Sequence, residues 1–165
     1  MNQSDLQKLS AAVEYLLQQE DFSRNIERLQ QDLANSKETF LWSTVELDAI
    51  PTELPTSIKS GWIFHLRQDV PSGAHYHPNS IQHMIMVSGK GTSLVGDTRK
   101  QILPLAAPNH SLADKWYVID QNVPHEFFPE GENMTVISFH TCPAGELEEV
   151  ACETGGKRLY EGSNA

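Results

Sequence analysis

From Thr39 to about residue 141 the chain is a succession of short runs rich in β-branched and aromatic residues, each cut off by Gly, Pro, Asn or Asp. No other feature restricts the fold as much. The runs span 39–47, 61–69, 80–88, 91–95, 99–103, 116–119 and 133–141, with shorter extended pieces near 74–77 and 124–128. None has the 3.6-residue period of a helix. Turn signals at Pro71-Ser72-Gly73, Ser88-Gly89-Lys90-Gly91, Gly96-Asp97 and Pro129-Glu130-Gly131 separate them, and 48–60, with two prolines, reads as a connection. Strands this short bury their apolar faces only against one another, in a sandwich or a barrel. The expected class is mainly β.

The first 38 residues differ. Leu6, Leu9, Val13, Leu16 and Leu17 recur at helical spacing, and Phe22, Ile26, Leu29 and Leu33 form a second stripe. Ser4 with Gln7 suggests a capping box for the first helix, and Asp21 an N-cap for the second. Three segments follow: 1–38, a helical hairpin covering one side of the main domain or serving as a dimerisation arm; 39–142, the β domain; and 143–165, an acidic surface tail. Gly155-Gly156-Lys157-Arg158 is not a phosphate loop, because it lacks the preceding glycine and the Lys-Ser/Thr ending.

A chain of 165 residues suits one domain with its own core. With 12 Lys+Arg against 22 Asp+Glu the formal charge is −10, which repels nucleic acid and anionic membranes but still permits an anionic ligand in a local pocket. No apolar run has the roughly 18 residues of a spanning helix, and the polar N-terminal stretch has no signal-peptide core. A cytoplasmic setting is expected, with Cys142 and Cys152 as free thiols.

The chemistry concentrates in Gly73–Gly91. His75 and His77 are two apart, so on an extended strand they share a face and present two imidazoles suited to Zn, Cu, Fe, Mn or Ni. Four residues separate His77 from Gln82, and six more lead to Gly89. This pattern resembles the first motif of the cupin superfamily, in which His-x-His is followed by an acidic residue and then, six residues on, a glycine. Here Gln82 stands where Glu is usual, and Gly73 lies too close to His75 to be the motif's opening glycine. Further on, Val123-Pro124-His125 resembles the second cupin motif, although its Gly and terminal Asn are missing. The resemblance covers roughly residues 60–142.

That resemblance implies a jelly-roll barrel with one divalent transition metal (Fe, Mn, Ni, Cu or Zn) on His75, His77 and His125. Gln82 would contact the metal directly or through water, or only hydrogen-bond a substrate. A neutral Gln leaves the site about one charge more positive than Glu would, which favours an anionic or enolate-type ligand. Met84 and Met86 share Gln82's parity and are expected to line the interior as pocket wall or core. Arg67 is a substrate-pocket candidate if its strand face points inward, and with His65 a surface residue if it points outward. His140 is a pocket wall or a core residue, and His83, opposite Gln82, is structural. By resemblance the expected activity is a metal-dependent dioxygenase acting on a small molecule. A non-catalytic metal- or small-ligand-binding cupin, or an isomerase or lyase, is the alternative, and a homodimer is expected.

Overall fold

The computed structural model describes residues 2–160 and Asn164. The chain opens with helices α1 (Gln3–Leu17) and α2 (Glu20–Ala34). Leu6, Leu9, Val13 and Leu16 are buried along α1, and Phe22, Leu29 and Leu33 along α2. The expected caps are corrected. Asn2 caps α1, its Oδ1 accepting from the Asp5 N–H at 2.9 Å, two residues earlier than a Ser4 cap. Gln19 precedes α2 without a side-chain cap, and Asp21 lies in the first turn, where its charge complements the helix dipole.

Among the described residues eleven strands follow: β1 (Phe40–Val45), β2 (Ser60–Leu66), β3 (His75–Tyr76), β4 (Gln82–Ser88), β5 (Gly91–Val95), β6 (Thr98–Gln101), β7 (Tyr117–Ile119), β8 (His125–Pro129), β9 (Met134–His140), β10 (Glu148–Ala151) and β11 (Lys157–Leu159). They form two sheets, ordered β1-β2-β9-β4-β7 and β11-β10-β3-β8-β5-β6, with antiparallel neighbours throughout. Strand pairing keeps these sheets separate among the described residues, so the expected barrel is a two-sheet sandwich rather than a hydrogen-bonded closed cylinder.

The five-stranded sheet is buried on both faces. Ile63, Ile85, Ile137 and Phe139 pack under the hairpin with Leu9, Val13, Leu29 and Leu33. Alternate residues Trp62, Leu66, Met84, Met86 and Val136 turn inward and meet Phe127 of the other sheet. Double coverage explains why β4 and β9 read as nearly continuous apolar runs. Between β4 and β5 the chain turns at Gly89, with φ +101; a Cβ there would lie 2.4 Å from the Asn133 carbonyl oxygen.

The expected surface tail is a further correction. Residues 148–159 supply β10 and β11, extending the six-stranded sheet, and Tyr160 is only 1% exposed. Its ring meets Trp42 edge-on at 4.8 Å and Phe64 at 5.5 Å. Residues 161–163 and 165 of that tail lie outside the described residues. Among the described residues both cysteines are free, and no helix is long and apolar enough to cross a membrane.

Candidate metal centre

Three strands deliver the site. β3 and β8 pair with His75 opposite His125, and the ring centroids stand 4.3 Å apart. His77, two residues on, brings its ring within 5.3 Å of His75 and 5.4 Å of His125. One ring nitrogen from each lies within 4.8 Å of the others, and all three residues are buried. Gln82, 5% exposed, approaches from β4 in the facing sheet.

Backbone carbonyls fix which nitrogens converge. His75 Nδ1 lies 2.8 Å from the Gly73 carbonyl oxygen, His77 Nδ1 2.8 Å from that of Glu148, and His125 Nδ1 2.9 Å from that of Val123. A carbonyl only accepts, so each Nδ1 carries a proton, and in the neutral ring the lone pair falls on Nε2. Burial, then the positive field of His75, pushes the His77 pKa down to about 4, against the opposing pull of the Glu148 carbonyl, the Glu149 carboxylate and the Gln82 amide. Burial, then His75 and His77, holds His125 well below the usual imidazole range. His77 and His125 are therefore neutral donors at neutral pH, the state a metal requires.

Two buried polar atoms test whether a metal belongs here. His125 Nε2 and Gln82 Oε1 have no hydrogen-bond partner among the described residues. Buried polar atoms are otherwise almost always satisfied, and both of these are lone-pair atoms that a cation would satisfy. The donor set fits a divalent transition metal.

A narrow cavity of about 30 Å³ opens over this cluster, walled mainly by Phe40, Phe64, Leu66, Met84, Phe127 and Tyr160. Of the four pocket candidates, Met84 lies on that wall. Met86 is instead buried in the apolar layer between the sheets. His140 stands behind His77, 5.1 Å between ring centroids, with its nitrogens 3.1 Å from Ser80 Oγ and 3.0 Å from Ser138 Oγ. Both its nitrogens are thus engaged, leaving none for a metal. Arg67 is corrected: its strand face points at the helical hairpin, and its guanidinium grips the carbonyls of Leu33 at 2.7 Å, Ser36 at 2.9 Å and Glu38 at 2.9 Å. His65 on the same face is buried against Thr135, because the hairpin covers what would otherwise be surface. His83, buried on the hairpin side, has Nδ1 3.2 Å from the Phe139 carbonyl.

Sequence reasoning passed over Glu149. This buried carboxylate on β10 reaches within 3.6 Å of His75 Nε2 and accepts a hydrogen bond from the Tyr160 hydroxyl. Burial, then repulsion from Glu149, raises the Tyr160 pKa well above its usual value, so the phenol stays protonated and donates. The one available signal was the alternation of Arg158 and Tyr160 about Leu159.

No protein-family model matches this chain, and no curated protein does. Solved structures do. A variant of salicylate 1,2-dioxygenase from Pseudoaminobacter salicylatoxidans matches with a TM-score of 0.60 at 10% identity, over 81% of this chain and 39% of that one. Oxalate decarboxylase of Lactobacillus farciminis, in its formate complex, matches with a TM-score of 0.52 at 13% identity, over 71% and 32%. Both are cupin-type double-stranded β-helix proteins. The chain has a cupin fold. It spans less than half the length of either neighbour. Within the cupin fold the three histidines face the space between the two sheets, where small-molecule sites of such sandwiches open.

Proposed function

We propose that this cupin is a metal-dependent enzyme that oxidises a small, compact organic molecule with dioxygen. The observation that carries the reading is the convergence of His75, His77 and His125 through nitrogens whose opposite ring N–H groups are tied to backbone carbonyls. Such locked imidazoles pre-organise a binding site. Bound there, Fe, Mn, Ni, Cu or Zn supplies a Lewis acid and, in the redox-active cases, an electron route to dioxygen. Met84 and the aromatic wall keep water out, and Gln82 offers a neutral amide that orients a substrate or contacts the metal. A dioxygenase of this name among the structural neighbours adds support. A homodimer in the cytoplasm completes the proposal, and light scattering reads its mass.

The narrowness of the cavity favours a second reading, a non-catalytic cupin that holds a metal or small ligand; isomerase or lyase chemistry on the same site is the other alternative. Elemental analysis after loading with each of the five metals should give near one ion per chain. His75→Ala should lose it, and retention would place the site elsewhere. Oxygen uptake by the Fe, Mn, Ni or Cu form with small enolisable acids supports the oxygenase. Stoichiometric metal without uptake moves the weight to the alternatives.

A further inference from the structure

The sequence puts a neutral Gln82 where the resembling motif carries an acid, yet the site is not without a carboxylate. Glu149 comes from β10, in the segment that the sequence presents as an acidic surface tail, and its side chain is 11% exposed. Burying a carboxylate is costly unless opposite charge or hydrogen bonds compensate. Its partners offer little: the neutral Tyr160 hydroxyl, and Arg158, whose Nη1 stops 3.8 Å from Oε1 on a side chain 45% exposed. Meanwhile Oε2 faces His75 Nε2 at 3.6 Å. Two ligand atoms about 2.1 Å from one ion lie roughly 3.0–4.2 Å apart, according to the angle they subtend. The unpartnered Nε2 of His125 belongs to the histidine cluster, and Gln82, whose Oε1 is also unpartnered, lines the cavity with His75 and His77. The partnerless lone-pair atoms of His125 and Gln82 and the acceptor oxygens of Glu149 are groups that a cation stabilises.

We infer that Glu149, steadied by Tyr160, is the charge-compensating carboxylate of this metal site, taking from a C-terminal strand the role that the acidic residue of the motif has at position 82. The inference rests on the metal-binding reading above. It makes the C-terminal strands part of the site, and it reduces the net charge presented to a ligand to what a three-histidine, one-carboxylate site would carry.

Co²⁺ titration, read by visible absorption and by competition with a chelating indicator, tests this. Glu149→Gln, nearly isosteric, should weaken Co²⁺ binding about tenfold or more. Adding Gln82→Glu to that variant should restore affinity from the other sheet, which a merely structural role for Glu149 does not predict. Unchanged affinity in Glu149→Gln overturns the inference while leaving the metal reading intact. A wild-type chain that binds neither Co²⁺ nor any of the five metals overturns both. If Glu149→Gln does not fold, Tyr160→Phe decides: removing the hydroxyl that steadies the carboxylate should weaken Co²⁺ binding several-fold, and no change overturns the inference.

Discussion

Each site histidine is defined twice, once by its strand position and once by the carbonyl that holds its far nitrogen. The first definition is legible in sequence, because a spacing of two on a strand puts His75 and His77 on one face. The second is not: the carbonyl of Glu148, which orients His77, is more than 70 residues away and belongs to a strand too short and polar to read. Arg67 shows the same limit. Its parity with His65 is legible, but whether that face meets solvent, substrate or another element depends on where the hairpin lands. In the fold it fastens the C-terminal end of α2, where cations suit the exposed carbonyls. Arg67→Met, which keeps the stem and removes the donors, should therefore lower stability by about 2 kcal/mol in urea denaturation. Its metal content should equal that of the wild type, and a loss of metal would return Arg67 to the site.

At the scale of elements, nine strands lie within or beside runs visible in the sequence, because alternation and turn residues bound them. β10 and β11 are the exceptions. They have four and three residues, carry charges on both faces, and gain their place by pairing at the end of an existing sheet rather than from a pattern of their own. The helix caps depart from expectation because Asn2 is as competent a cap as Ser4, and because α2 starts after Gln19, which makes no side-chain cap bond, so that no cap residue marks it in the sequence. The β4–β5 turn is legible in Ser88-Gly89-Lys90-Gly91, and the structure adds why position 89 is glycine. The backbone there is left-handed, and a Cβ would strike the Asn133 carbonyl and the Met134 Cα, at 2.4 and 2.7 Å. Both obstacles are backbone atoms of β9 or its approach, so relief requires the sheet to move. Gly89→Ala should cost about 3 kcal/mol, read as a lowered urea midpoint with an unchanged slope. A midpoint equal to that of the wild type would show that the turn can re-form without the left-handed residue.

Over the whole molecule, the fold stores histidines in their neutral form. Of the seven in the chain, five have lowered pKa values, His65, His77, His83, His125 and His140, each with burial as the largest cause. In the unfolded chain these groups take up protons around pH 6.5. In the folded chain His77 waits until about pH 4, and burial delays the other four as well. Between those limits the unfolded state binds more protons, so stability is fully present above pH 6.5 and falls as the pH drops, by up to about 1.4 kcal/mol per pH unit for each such histidine. Metal-free protein should accordingly show a urea midpoint that declines steeply from pH 7 to pH 5, before most carboxylates titrate. His77→Gln, which removes one of the five groups, should make that decline shallower. Metal adds a second slope in the same direction, because protons compete for the Nε2 atoms of His77 and His125; loaded protein should therefore exceed the metal-free form in stability by the widest margin at neutral pH and converge on it in acid. A midpoint independent of pH between 7 and 5 would mean that these histidines are hydrated in solution, and would remove the electrostatic case for a dry, pre-organised site.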